Sequence, residues 1–293
     1  MYLKIDISLN RGQLGQDVGQ QGEGPVVQQI LDGTYQFPPD TPPEVEALLQ
    51  EAATLYEATK DVPFNLQITA EEFQYWWTHC RADTQSSKSG IHYDHYVCAA
   101  HDDELTELHV AKMNAVLTLG LPLERWLSTV IVLLQKEMGT VFINKLRAIC
   151  LFEADFNYVL KVIFSQRMMR NLNDNKLLPA EQHAKIHSGA KNATMNRILW
   201  QDVHRTNHHP YAISSVDLGD CYDSLHHGWG SISLQAAGVP KHFVGLMLLS
   251  MQSMGWFLRT GFGISDTPFR GSDDSPMMGL GQGSSAAGPA FSL

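Results

Sequence analysis

The sequence predicts a mixed α/β fold in which one sheet is covered by helices. Apolar residues recur at helical spacing over several long stretches of the chain. Three short runs of β-branched or aromatic residues interrupt them and predict buried strands: TVIVLL (129–134), YAISSV (211–216) and WFLRTGF (256–262). Of the 293 residues, 44% are hydrophobic, which is enough to bury a sizeable core.

Helices account for most of the remaining periodic sequence. A Thr-x-x-Glu capping box at Thr69 and Glu72 starts one helix, and Gly120 with Pro122 ends another. The predicted helices cover 45–58, a stretch that begins at Thr69, 103–119, 155–170, 193–204, 223–236 and 240–254. The polar stretch 84–90 and the Gly-rich C-terminal residues are predicted to be loops.

Charge is distributed unevenly along the chain. Residues 1–43 mix Gly, Gln and Pro without an apolar period, which predicts a disordered acidic arm that takes no part in any site. Residues 1–70 hold 3 basic and 10 acidic side chains, and this stretch contributes −7 to the net charge of −10. Between Lys136 and Arg205 there are 11 basic and 6 acidic side chains, a local excess that permits contact with phosphates.

The sequence shows no signal for insertion into a membrane or for secretion. No stretch approaches the ~18 consecutive apolar residues of a membrane-spanning helix. The opening residues MYLKIDISLNRG also lack the basic and then apolar plan of a signal peptide. The sequence therefore predicts an intracellular protein that is not secreted and has no membrane partner, with cytoplasm and nucleus both open.

The most informative stretch is VDLGDCYDSL (216–225), which places Asp217 at the end of a predicted strand. Nucleotidyl transfer uses two Mg²⁺ ions about 3.5–4 Å apart, and Mg²⁺ prefers carboxylate and backbone carbonyl oxygens. Asp217 and the carbonyl of Leu218 fit that requirement. The ring of Tyr222, five residues after Asp217, would collide with a 2′-hydroxyl and so select deoxynucleotides. Asp220 and Asp223 have an alternative role, in which they cap the following helix.

This stretch resembles motif A of reverse transcriptases, in which Phe or Tyr follows the aspartate at the fifth position. Asp220, Cys221 and Tyr222 then take positions that line the nucleotide site. The C-terminal GLGQGSSAAGPAF (279–291) resembles motif B of the same family. Gln282 and Gly283 match the Gln-Gly pair that lies beside the nucleotide and the template in that motif.

Further matches occur in the order expected for the family. The segment from Trp126 to Leu151 resembles the fingers segment in which a Lys and an Arg contact the triphosphate, and Lys136 and Arg147 match them. A guanidinium binds phosphate oxygens at two points and an ammonium neutralises charge, although a solvated surface pair is the alternative. QSSKSGIHYDHY (85–96) and EQHAKIHSGAKNATMNRIL (181–199) resemble segments that precede the fingers and motif A, respectively.

The resemblance implies a right-hand polymerase with α/β fingers and a partial palm. The expected regions are a helical region at 44–122, fingers at 123–210 and a partial palm at 211–293 that ends before motif C. The family extends a DNA primer on an RNA template, using deoxynucleoside triphosphates and Mg²⁺. Motif C supplies the other metal-binding carboxylate, so this chain alone is expected to be nearly inactive.

Two other functions fit parts of the sequence. A non-catalytic retroelement remnant would bind RNA in a salt-sensitive way that is indifferent to Asp217. An ordinary α/β ligand-binding protein would match the motifs by coincidence. The histidines have competing roles as well: His204 and His208 lack further ligands at zinc spacing, and His226 and His227 are expected to contact nucleic acid or solvent.

Overall fold

The protein has a mixed α/β structure with one four-stranded mixed sheet within the part of the chain described here. The computed structural model describes residues 17–139, 142–185, 187–215, 222–272 and 276–293. The helices of these ranges are α1 (Val27–Leu31), α2 (Pro43–Thr59), α3 (Ala70–His79), α4 (Tyr93–Ala99), α5 (Asp103–Leu119), α6 (Ala154–Leu160), α7 (Met169–Asp174), α8 (Ala190–Thr206), α9 (His227–Ala236), α10 (Lys241–Gln252) and α11 (Ala287–Phe291). A π-helical stretch, Lys161–Met168, joins α6 to α7. None of the described helices is long and apolar enough to cross a bilayer.

The sheet has the strand order β2-β1-β3-β4. Its strands are β1 (Ser128–Gln135), β2 (Leu146–Leu151), β3 (Gly255–Thr260) and β4 (Gly263–Ile264). The two outer pairs, β1 with β2 and β3 with β4, are antiparallel, and the central pair β1 and β3 is parallel. Because β1 comes from the predicted fingers and β3 from the predicted palm, the sheet spans the boundary between these two sequence regions.

Local sequence signals placed most elements correctly. The capping box is present: the Thr69 hydroxyl accepts from the Glu72 amide at 3.2 Å, and the Glu72 carboxylate accepts from the Thr69 amide at 3.0 Å. Gly120 ends α5 in the left-handed conformation, with φ of 67°. The predicted helices over 45–58, 103–119, 155–170 and 193–204 are confirmed.

The predicted strand at 211–216 is wrong for residues 211–215. These residues form no helix or strand and are all exposed, while residue 216 lies outside the described part. Its β-branched composition suits a strand, but β1 already has β2 on one side and β3 on the other. A strand forms only where a neighbouring strand supplies hydrogen bonds, and residues 211–215 pair with no strand among the described residues.

The predicted disorder of the acidic arm is wrong for residues 17–43. Val18, Val27 and Ile30 are each at most 2% exposed and pack with Leu49 of α2 and Ile232 of α9. The arm has no regular apolar period because only α1 is helical, and its few apolar side chains are buried by distant parts of the chain. Residues 1–16 lie outside the described residues.

An ionic cluster lies at the end of the sheet where β1 begins and β2 ends. The Arg125 guanidinium donates to Asp155 at two points and to the Glu153 carboxylate at 2.9 Å. Trp126 Nε1 donates to Asp155 Oδ1 at 2.8 Å, and both carboxylates are at most 1% exposed. Burial raises the pKa of Glu153, and only its close cation and the Ser89 hydroxyl favour the charged form.

The Ser-rich loop at 84–90 closes the same end of the sheet. The Ser86 hydroxyl donates to the Phe152 carbonyl at 3.0 Å, and the Ser87 hydroxyl donates to the Ser128 carbonyl at 2.6 Å. Ser89 Oγ donates to Glu153 at 2.8 Å. The serines therefore satisfy backbone and carboxylate oxygens at one sheet end, whereas Leu134, Gln135 and Thr260 at the opposite end are exposed.

Candidate functional site

Two predicted phosphate-binding side chains lie on the same face of the β1–β2 hairpin. Arg147 pairs with Leu134 across the hairpin, and the Lys136 amide donates to the Lys145 carbonyl two residues further along. Side chains alternate between faces along a strand, so Lys136 and Arg147 are diagonal neighbours on one face, about 7–8 Å apart at the backbone. Both are exposed, and neither forms an ion pair with a carboxylate of the described residues.

Two further cations extend this face, and the sequence analysis missed both. Arg259 pairs with Val132 in the parallel register of β1 and β3, so its side chain leaves the same face as Lys136. Lys88 reaches this face from the Ser-rich loop, with Nζ 3.6 Å from the centre of the Phe257 ring. Sequence gives no direct signal for them, because only the strand register shows which face they occupy.

We call Lys88, Lys136, Arg147 and Arg259 the basic face. The four strands contain no acidic residue, so no strand carboxylate offsets these charges. The opposite face of the sheet carries Cys150 and other side chains that pack into the core. A face whose described strand residues include cations and no carboxylate attracts anions.

The predicted motif B residues lie along the outer edge of β2. The Cys150 amide donates to the Gln282 carbonyl at 2.6 Å, which covers part of an otherwise unpaired strand edge. Gly283 has φ of +121°, and a Cβ on it would lie 2.2 Å from the Cys150 carbonyl oxygen. Only glycine permits this close approach. Cys150 is three residues from Arg147, so Gln282 lies at the edge of β2, about 10 Å along the strand from Arg147.

Asn157 of α6 fixes the other side of this Gly-rich loop. Its Nδ2 donates to the Gly283 carbonyl at 3.1 Å, and its Oδ1 accepts from the Ser285 amide at 2.7 Å. One amide side chain therefore satisfies a donor and an acceptor of the loop. The sequence analysis missed this residue, since an Asn within a helix carries no signal for a distant loop partner.

Tyr222 brings the end of predicted motif A to the same loop. Its carbonyl accepts from the Leu280 amide at 2.9 Å, and the Leu225 carbonyl accepts from the Gly279 amide at 3.1 Å. The Tyr222 ring is half-buried and meets Phe291 edge-on, with centroids 5.8 Å apart. The segments that resemble motifs A and B are therefore hydrogen-bonded to each other.

Four predicted site residues lie outside the described residues: Asp217, Leu218, Asp220 and Cys221. The structure consequently says nothing about the predicted metal ligands or about two of the nucleotide contacts. Among the residues it does describe, no group of three or more His, Cys, Asp or Glu side chains is placed to hold a metal. Asp223 is not the cap of α9, because His226 occupies the N-cap position.

The prediction that His226 and His227 face nucleic acid or solvent is wrong for His227. His227 is fully buried, and its Nε2 lies 2.8 Å from the Gly279 carbonyl. Burial lowers the pKa of His227, and burial together with the neighbouring His227 lowers the pKa of His226 to about 4. His227 is buried because the small residues Gly228 and Gly230 let the first turn of α9 pack against other segments.

The comparisons with known proteins add no assignment. No family model matches the sequence, and no curated protein matches it significantly.

Proposed function

We propose that this chain is the fingers and partial palm of a reverse transcriptase, an RNA-directed DNA polymerase. In this proposal the basic face binds the triphosphate of a deoxynucleotide, beside an RNA template and a DNA primer. The observation that carries the proposal is the shared face of Lys136 and Arg147, next to the edge where Gln282 lies. Coincidental motif matches would not be expected to meet at one strand edge.

The two cations have complementary chemistry toward a triphosphate. Arg147 offers a planar fork of N–H donors that can bind two phosphate oxygens at once. Lys136 offers a compact charge that neutralises the leaving pyrophosphate. Since neither side chain has a carboxylate partner among the described residues, no existing ion pair has to break before an anion binds.

Gln282, Gly283 and Tyr222 would shape the nucleotide end of the site. The Gly283 backbone approaches closely because no Cβ intervenes, and the Gln282 amide offers both a donor and an acceptor. Tyr222 would exclude a 2′-hydroxyl. Its backbone bond to Leu280 supports this arrangement, because it ties the Tyr222 segment to the Gln282 loop.

Magnesium enters the proposal only through the family resemblance. The resemblance implies that Asp217 and the Leu218 carbonyl would hold Mg²⁺, which supplies charge neutralisation during nucleotidyl transfer in the complete enzyme. Both residues lie outside the described part, and the described residues offer no group of three or more His, Cys, Asp or Glu side chains that could hold a metal.

Nucleotide binding tests the proposal directly. We expect a fluorescent deoxynucleoside triphosphate to bind the chain together with a primer–template, and Arg147→Ala to weaken that binding by about ten- to a hundredfold. Lys136→Ala should weaken it by about tenfold and reduce the salt dependence. Lys60→Ala is the matched control, since Lys60 pairs with Glu57 on α2. Fluorescence anisotropy at several salt concentrations measures these affinities.

Two outcomes would contradict the proposal. If Arg147→Ala and Lys136→Ala bind the triphosphate as the unmodified chain does, the basic face is not a nucleotide site. If RNA binds in a salt-sensitive way and no triphosphate binds, the non-catalytic remnant becomes the better description.

A further inference from the structure

His227 uses both ring nitrogens within the protein interior. Nε2 lies 2.8 Å from the Gly279 carbonyl oxygen, and Nδ1 lies 3.0 Å from Gln252 Nε2. A carbonyl only accepts and an amide nitrogen only donates, so the ring must be neutral with its proton on Nε2. Burial lowers the pKa of His227 and favours this neutral form.

Gln252 carries the chain of hydrogen bonds onward to the N-terminal segment. It is the last residue of α10, and its Nε2 also donates to the Gln20 carbonyl at 3.0 Å. Its Oε1 accepts from Gln21 Nε2 at 3.0 Å. One amide side chain therefore links residues 17–24 to His227, and His227 links them to Gly279.

We propose that His227 and Gln252 form a positioning relay, through which the N-terminal segment 17–24 holds the Gly279–Gly283 loop in place. The relay rests on hydrogen bonds alone and stands apart from any ligand. Its effect on nucleotide affinity rests on the proposed function, since Gln282 belongs to the loop that the relay holds.

The loop needs contacts from other segments because its glycine-rich sequence does not by itself select one backbone conformation. Gly279, Gly281 and Gly283 have φ values of 82°, 67° and 121°. Glycine reaches these conformations easily but also leaves them easily, so surrounding contacts decide which one is occupied. The loop is held from one side by Asn157, and the relay holds its first residue from the other side.

Hydrogen exchange followed by mass spectrometry tests the relay without any ligand. We expect Gln252→Met, which keeps the side-chain length and removes the amide, to speed amide exchange at 279–285 and at 17–24 by about tenfold or more. His227→Leu should speed exchange at 279–285 to a similar extent. His227→Gln should give an intermediate rate, because its amide can still donate toward Gly279.

Ser250→Ala is the matched control on the same helix. Its buried hydroxyl donates to the Leu246 carbonyl at 2.6 Å within α10 and does not enter the relay. We expect it to leave exchange at 279–285 unchanged. Because Gln252→Met creates no large cavity, it remains informative if His227→Leu unfolds the chain.

The relay is wrong if Gln252→Met speeds exchange at 17–24 and leaves 279–285 at the original rate. It is also wrong if Ser250→Ala has the same effect as Gln252→Met, since general loosening of α10 would then explain both. Failure of the proposed function has a different signature: the exchange changes occur as expected, but the unmodified chain binds no deoxynucleoside triphosphate.

Discussion

Two buried polar clusters hold the loops around the sheet, and they differ in charge. At the closed sheet end, Arg125 meets the carboxylates of Asp155 and Glu153, and Lys112 lies 3.7 Å from Asp155. Beside the Gly-rich loop, His227 and Gln252 form a cluster without formal charge. The first depends on ions that must remain paired, and the second depends on a ring that must remain neutral.

The ionic cluster fixes one end of the sheet, whereas the neutral cluster is sensitive to acid. Removing one member of a buried ionic cluster leaves an uncompensated charge, so such a cluster tolerates little change. A neutral histidine cluster is intact at neutral pH and weakens when acid protonates the ring. The ionic cluster lies at the closed end of the sheet, and the neutral cluster lies beside the loop that carries Gln282.

The largest loss of stability is expected when the ionic cluster is broken. Arg125→Met should lower the free energy of unfolding by about 3–5 kcal/mol at neutral pH, because two buried carboxylates lose their main cation. Urea denaturation followed by tryptophan fluorescence measures the change. Arg81→Met is the control: the Arg81–Asp83 pair is exposed, and its loss should leave the free energy of unfolding nearly unchanged. A loss below about 1 kcal/mol for Arg125→Met would show that the cluster does not fix this end of the sheet.

A smaller loss of stability is expected when the glycine-rich loop beside the neutral cluster is altered. Gly283→Ala should cost about 2–3 kcal/mol, because the added Cβ meets the Cys150 carbonyl and the φ of 121° strains an L-residue. Gly139→Ala is the matched control, with φ of 83° and nothing within 4 Å of the added Cβ. We expect it to cost about 1 kcal/mol. Equal losses in the two variants would mean that the loop does not press against β2.

The smallest expected loss of stability occurs in acid, at the two histidines where α9 begins. The folded state lowers the pKa of His226, to about 4, and that of His227. The unfolded chain therefore binds more protons below about pH 6.5, and stability should fall as the pH drops from there toward about 4. We expect a loss of about 2 kcal/mol for the half-buried His226, measured by urea denaturation across this range.

His226→Gln should remove the part of that acid dependence that His226 contributes. The Nδ1 of His226 is buried and has no hydrogen-bond partner among the described residues, so its replacement should cost little at neutral pH. The exposed His101→Gln should leave the acid dependence unchanged. If His226→Gln retains the full dependence, His226 is not the source of the acid sensitivity.

Sequence patterns predicted the elements that depend on neighbouring residues. The capping box at Thr69, the end of α5 at Gly120 and the strand β1 all follow from spacing over a few residues. The strand predicted at 211–216 had a suitable composition, but residues 211–215 are not in the sheet, because strand formation also requires a partner edge. Local propensity carries no information about that partner.

The candidate site shows the same division. Lys136, Arg147, Gln282 and Tyr222 were identified from motif spacing. Their mutual positions, and the presence of other side chains beside them, depended on pairings that no local pattern reports. His227 is the clearest case: a histidine expected to face solvent or nucleic acid is buried, because α9 packs its first turn against the loop at Gly279.

The mixed α/β class, the main helices and the residue types available for binding phosphate follow from the amino-acid sequence. The folded chain was needed to show that β3 lies beside β1, that Arg259 shares a face with Arg147, and that residues 17–24 reach the Gly279 loop. These two kinds of feature differ in the sequence distance over which their contacts act. Helix periodicity and capping are set by hydrogen bonds within a few residues, whereas strand register and burial are set by contacts between residues far apart in the chain.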